Sequence, residues 1–207
     1  KNGWIRDFTQ QTIIDQKLTG LIPRLKEVVR SSNNTLQVTH AIWTLEGLQA
    51  LSVNEVKAIV SSNNWALRTQ GLSALFAIMN EDNADEIASL ALDLLQKNEA
   101  TNAPYLAFLS HKLEKFNREK ATQIRQQLGK SYADDVYTVD ALLSGLEEEE
   151  ADYLSAQSSL DTASVLYKRT NAAIKNSISK KKGKNAEDLA KLYPNGAELF
   201  ISTCQTC

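Results

Sequence analysis

The turn Ser31-Ser32-Asn33-Asn34 recurs as Ser61-Ser62-Asn63-Asn64, 30 residues further along the chain. Around both copies the apolar residues fall three and four apart, the spacing of one helix face. Ile5, Leu36 and Leu67 stand 31 residues apart, and Arg6, Gln37 and Arg68 follow them at the same period. A period of about 30 residues with two helices in each unit is a solenoid signature. A single helix pair cannot bury its apolar face alone, whereas stacked pairs bury it against each other.

Composition agrees with helices joined by short turns. Of 207 residues only 8 are Gly and 3 are Pro, too few for the frequent turns of an all-β fold. Trp4, Ile5, Phe8, Thr12 and Ile13 mark a first helix, and Leu18 to Val29 a second, with Gly20 and Pro23 near its start. Leu36, Ala41, Ile42, Leu45 and Leu48 form the next stripe. Ser52 and Glu55 read as a capping box ahead of Val56, Ile59 and Val60. Residues 65–79 and 84–97 read as a helix pair, as do 105–116 and 120–128. Beyond residue 100 the repeat weakens. Residues 139–154 read as one long helix, despite Gly145 and Glu147-Glu148-Glu149-Glu150, with 160–178 as its partner. Lys180-Lys181-Lys182-Gly183-Lys184-Asn185 reads as a linker, and a new amphipathic element starts at Ala186.

The formal net charge of −2 gives no basic excess, so nucleic acid is not an expected partner. No apolar run reaches the roughly 18–20 residues that a membrane span needs. The sequence begins at Lys1 without a signal-peptide pattern, and it is expected to be an internal piece of a longer protein. Both cysteines lie in the last four residues, so the helical body has no disulfide framework.

Those cysteines form Cys204-Gln205-Thr206-Cys207, the most informative motif. Two thiols three apart can form thioethers with the two haem vinyl groups, and a His at the next position would supply an axial ligand. The sequence ends one residue short of that position. A bare pair of this spacing also fits a redox dithiol, half of a zinc site, or chance. A redox dithiol of the thioredoxin type needs a βαβ setting, and a zinc site needs a second ligand pair; neither is visible here.

The remaining candidates have structural readings. His40, near Trp43 and Glu46, is expected to pack and hydrogen-bond across helices rather than act as an acid–base group. His111 is expected to be exposed. Trp4, Trp43 and Trp65 are expected as core spacers between layers. Arg6 and Arg68 are expected to bond loop carbonyls. Glu147 to Glu150 reads as a solvated helix face. There is no nucleophile–base–acid arrangement, no Gly-rich phosphate loop and no HExxH motif, so no catalytic residues are assigned.

The units are similar to HEAT repeats, at the compact end of a family whose repeats usually run to about 40–47 residues. The stretch Pro194 to Cys204, with Gly196, Leu199 and Phe200, resembles the opening of a class I cytochrome c domain. Together with Asn2-Gly3-Trp4-Ile5-Arg6-Asp7 and His40-Ala41-Ile42-Trp43-Thr44-Leu45-Glu46-Gly47-Leu48, it resembles a group of large bacterial secreted dehydrogenase-like proteins. In that group a β-propeller similar to quinoprotein sugar dehydrogenases precedes HEAT-type repeats and a C-terminal cytochrome c domain. The likeness is strongest at 2–48 and 194–207.

The resemblance implies an all-α, HEAT-like right-handed α-α solenoid of about five helix pairs, ending in the truncated start of a cytochrome c domain. The implied divisions are 1–133 HEAT-like repeats, 134–179 a divergent helix pair, 180–186 a linker, and 187–207 the cytochrome c opening. It implies a periplasmic or otherwise extracytoplasmic location, covalent haem c on Cys204 and Cys207 in the full-length protein, and PQQ in the upstream domain. The chain itself is expected to hold no cofactor and to act as a non-catalytic spacer between a dehydrogenase domain and a haem domain. A protein-interaction scaffold using a concave face is the first alternative, and a HEAT-like DNA-binding enzyme the second.

Overall fold

The computed structural model describes residues 2–157 and 160–181, and among them it is all-α, with no strand. The helices are α1 Gly3–Asp15, α2 Ile22–Ser31, α3 Thr35–Gly47, α4 Val53–Val60, α5 Trp65–Ile78 and α6 Ala84–Gln96. They are followed by α7 Ala103–Leu113, α8 Arg118–Ser131, α9 Val136–Leu143, α10 Glu150–Ser155 and α11 Val165–Lys181. None of these helices is long and apolar enough to cross a membrane.

The repeated Ser-Ser-Asn-Asn turn is a helix-starting device. Asn34 Oδ1 accepts the Gln37 N–H at 3.2 Å, and Asn64 Oδ1 accepts that of Leu67 at 3.3 Å. Ser32 Oγ and Ser62 Oγ accept the N–H groups of the capping asparagines, each at 3.1 Å. Asn2, Asn117 and Asp135 cap α1, α8 and α9 in the same way. Each cap contributes about 1 kcal/mol by satisfying a donor that the first turn leaves unpaired. The Ser52–Glu55 capping box forms as the sequence implies.

The helices stack in two rows. In the odd-numbered row α1 contacts α3, α3 contacts α5, α5 contacts α7, α7 contacts α9, and α9 contacts α11; in the even-numbered row α2 contacts α4, α4 contacts α6, and α6 contacts α8. Across the rows α2 packs on α3, α4 on α5, and α6 on α7, while α7 also packs closely on α8. The pairing therefore differs from the expected coupling of 65–79 with 84–97: α5 takes α4 as its hairpin partner. The main core lies between the rows, where Ile42, Leu45, Leu72, Leu75, Ile87 and Leu94 are fully buried. Burying each such side chain contributes about 1.5–3 kcal/mol. A smaller core forms around Val139, Leu146, Tyr153 and Leu166. Helix α9 belongs to both, since its Ala141 and Leu142 join the main one.

The expected long helix over 139–154 is two helices. α9 stops at Leu143, and α10 does not begin until Glu150. The break has a tertiary cause. The His111 ring of α7 lies against Gly145, where an added Cβ would stand 2.2 Å from His111 Cγ. A glycine at the end of α9 permits that approach, and the chain turns there. Glu147 to Glu149 consequently form a turn rather than a helix face, and Glu150 opens α10: Glu147 and Glu148 are exposed, and Glu148 has a positive φ of 67°. Helix α11 starts at Val165, later than expected, where the Leu166 N–H donates to Ala133 O at 2.8 Å and the Val165 N–H to Asp134 Oδ1 at 3.1 Å.

The hairpin partners α4 and α5 approach closely at Gly71 of α5. A Cβ there would lie 2.8 Å from Val60 Cγ1 and 3.0 Å from Ile59 Cγ2 of α4. Alanine improves helix propensity by about 1 kcal/mol, but overpacking a tight interface costs about 1–3 kcal/mol. Gly71→Ala is therefore expected to lower the urea midpoint with an unchanged m-value. A midpoint equal to or above that of the parent chain would contradict this packing.

Candidate functional site

Cys204 and Cys207 lie outside the described residues, as do the expected cytochrome c opening over 187–207 and residues 182–186 of the expected linker, whose first two residues, Lys180 and Lys181, instead end α11. Among the described residues no group of three or more His, Cys, Asp or Glu side chains is placed to hold a metal ion. The chemistry that can be built from geometry therefore rests on two histidines, the tryptophans and several buried charges.

His40 sits on α3 and faces α1. Its Nδ1 is 2.7 Å from Gln10 Oε1, and its Nε2 is 3.9 Å from Asp7 Oδ1. It bridges helices, as expected, and the bridge runs along the odd row. Trp43 is half-buried and donates its Nε1–H to Gln70 Oε1 of α5 at 2.7 Å, again along that row. The other two tryptophans are not core spacers: Trp4 is 68% exposed and Trp65 is 63% exposed. Both stand in the first turn of an odd-row helix, where their apolar character gives a helical period but no burial.

Arg68 has the role expected of it and more. It is buried on α5, and its Nη1 donates to Ser62 O at 2.8 Å, in the turn from α4. Its Nε donates to Asn102 Oδ1 at 3.2 Å, its Nη2 to Thr101 Oγ1 at 3.0 Å, and Glu99 Oε2 lies 2.7 Å from Nη2. One side chain thus ties together the turns at the starts of α5 and α7. Hydrogen bonds involving a charged group contribute about 1.5–3 kcal/mol each. Arg6, at the matching place on α1, makes no such bond among the described residues, and its Nε is buried without a partner.

Sequence reasoning missed two further buried charges. Glu55 of α4, read simply as a capping residue, also receives Lys26 and Arg30 of α2, each at 3.3 Å. Burial works to raise its pKa, but the Ser52 hydroxyl and the two cations outweigh it and hold the carboxyl below its ordinary value. The i, i+4 spacing of Lys26 and Arg30 on one face was the available signal. Arg125 of α8 is buried and bonded to Glu114, whose pKa it lowers, while its backbone carbonyl accepts the Tyr153 hydroxyl at 3.1 Å. Lys112 of α7 reaches back to α5, donating to Phe76 O at 2.6 Å, and so satisfies a carbonyl at that helix's C-terminus.

His111 is not exposed as expected. It is half-buried between α7 and the end of α9, with Nε2 3.1 Å from Ala141 O. A carbonyl accepts, so Nε2 carries the hydrogen and Nδ1 does not; Nδ1 is buried without a partner. Burial disfavours the charged ring and lowers its pKa below 6.5.

Two concavities stand out. One of about 570 Å³ lies between α8 and the α10–α11 region and is lined by Gln123, Gln126, Gln127, Lys130 and Asp134. The other, about 400 Å³, lies between α1, α2 and α3 and is mainly apolar. Among the described residues neither brings a nucleophile to a base. No protein-family model, no curated protein and no solved structure matches the chain.

The His111 geometry predicts a pH dependence of stability. The folded-state pKa is depressed, so the unfolded chain takes up a proton that the folded chain resists. Stability is retained above about pH 6.5 and lost as pH falls through that value toward the folded pKa. Glu55 and Glu114, held below 4.5, lose their contributions only at lower pH. The melting temperature of the parent chain should therefore fall between about pH 7 and pH 5.5, and His111→Gln should flatten that fall. An equal fall in both proteins would contradict the assignment.

Proposed function

We propose that this chain is a non-catalytic helical-repeat connector. It is a HEAT-like, right-handed α-α solenoid of about five helix pairs, with the cytochrome c opening at its end. It holds an upstream dehydrogenase domain and a downstream haem c domain in fixed relation outside the cytoplasm. The observation that carries the reading is the continuity of the rows, in which each helix from α1 to α7, and α9 as well, contacts the helix two places along. Such nearest-neighbour stacking transmits position from one end to the other without a hinge between domains. The buried bonds of Arg68 and Glu55, which tie one repeat to the next, support the same reading.

In this reading Cys204 and Cys207 attach haem in the full-length protein, and PQQ belongs to the upstream dehydrogenase. The substrate is oxidised elsewhere in the polypeptide, and no residue of the helical body takes part in that chemistry. A protein-docking role gains some support from the exposed first turns of the odd row, at Trp4, Leu36, Trp65 and Tyr137. A DNA-binding role gains none, since Arg68 and Arg125 are committed to carboxylates.

The haem assignment is tested by extending the chain past Cys207 along its own gene and producing it in a cell equipped for c-type haem attachment. The next residue is expected to be His, and the product should carry covalent haem by its pyridine haemochrome spectrum. Cys204→Ala with Cys207→Ala should abolish the spectrum. A different residue after Cys207, or a haem-free product, would remove the redox part of the proposal.

A further inference from the structure

Helix α1 has 13 residues and none is buried, although it carries Trp4, Ile5, Phe8, Ile13 and Ile14. Aligning the odd-row helices on their capping residues Asn2, Asn34 and Asn64 shows what α1 lacks. Six residues after the cap stand Phe8, His40 and Gln70. His40 reaches back to Gln10 of α1, and Gln70 reaches back to Trp43 of α3. Phe8 is 58% exposed, and its ring stacks on Trp4 of its own helix at 5.2 Å between centroids. The flank that a preceding odd-row helix covers on α3 and α5 is bare on α1.

Two further positions point to the same missing neighbour. Seven residues after the cap stand Thr9, Ala41 and Gly71. Gly71 lies against Val60 and Ile59 of α4, its hairpin partner, whereas Thr9 lines the apolar 400 Å³ groove with Ile5, Ile13, Leu25 and Val28. Four residues after the cap, Arg68 donates to Ser62 O in the turn that leads into α5. Arg6 holds the matching place on α1, and the equivalent carbonyl would belong to a turn leading into α1.

We propose that the exposed face of α1 and the adjoining groove seat an amphipathic helical hairpin that runs directly into α1. Its second helix fills the groove with an apolar stripe like Val56, Ile59 and Val60 of α4, and its first covers Trp4 and Phe8. The turn between that second helix and α1 supplies a carbonyl to Arg6. The site continues an interface that the molecule already uses between every other pair of repeats. The inference does not rest on the redox reading, and it holds for any protein in which this chain serves.

The test lengthens the chain upstream along its own gene by one repeat, the 30 residues that separate Asn34 from Asn64. Subtracting the spectrum of the matching Trp4→Phe variant isolates the emission of Trp4. In the lengthened chain that emission should move to shorter wavelength and be quenched less by acrylamide. Arg6→Ala should lower the melting temperature of the lengthened chain and leave that of the present chain unchanged. Unaltered Trp4 quenching, or an Arg6→Ala effect equal in both chains, would overturn the proposal. So would a dimer of the present chain in sedimentation that itself protects Trp4, which would assign the face to a second copy.

Discussion

Helix α4 has eight residues and α10 has six, and isolated helices shorter than about 12–15 residues are marginal in water. What makes them persist is the neighbour two places along and the hairpin partner across the rows. Ile42, Leu45, Leu72, Leu75, Ile87 and Leu94 come from three helices, α3, α5 and α6, and belong to one contiguous core. No single hairpin holds enough of that surface to stand alone. Exposed ion pairs such as Arg24–Glu27 contribute about 0–1 kcal/mol each, well below one buried leucine. The row contacts therefore set the stability of the whole array.

Buried charges do a different job, which is to fix register. Packed Leu and Ile side chains tolerate small slips between helices, while a guanidinium with four partners does not. Arg68 bonds Ser62, Thr101 and Asn102 and pairs with Glu99, so the turns at the starts of α5 and α7 are held at one spacing. Glu55 holds α2 to α4 through Lys26 and Arg30. At the surface, exposed Asp85 links α6 to α8, where Asn117 at 2.7 Å and Lys120 at 3.4 Å lower its pKa. Removing one partner of a buried pair leaves a charge uncompensated, which makes these positions intolerant of single changes.

Much of this was legible in the sequence where the cause was local. The Ser-Ser-Asn-Asn turns, the Ser52–Glu55 box and the helices over residues 65–97 follow from caps and periodicity, and they appear within a residue or two. Arg68 was read as a bond to a loop carbonyl, and it is one. The failures share a non-local cause. Periodicity marked Trp4 and Trp65 as apolar on a helix, but burial depends on whether a neighbour covers that turn. The break after Leu143 depends on a histidine more than 30 residues earlier pressing on Gly145. His111 had no pattern of its own because its partner is a backbone carbonyl, which no sequence motif encodes. The motif with the most chemical content, Cys204-Gln205-Thr206-Cys207, stands beyond the described helices, so the haem assignment rests on spacing and resemblance.

A connector of the kind proposed requires the two rows to behave as one stiff body from α1 to α11. The absence of cysteine from residues 1–203 makes site-directed spin labelling straightforward. With Cys204 and Cys207 changed to Ser, labels at Asp15→Cys on α1 and Lys168→Cys on α11 report the end-to-end distance by pulsed electron spin resonance. A stiff array gives a single narrow distance distribution that keeps its width when the chain is lengthened at either end. A broad or multi-peaked distribution would show a hinge within the rows and would contradict the account.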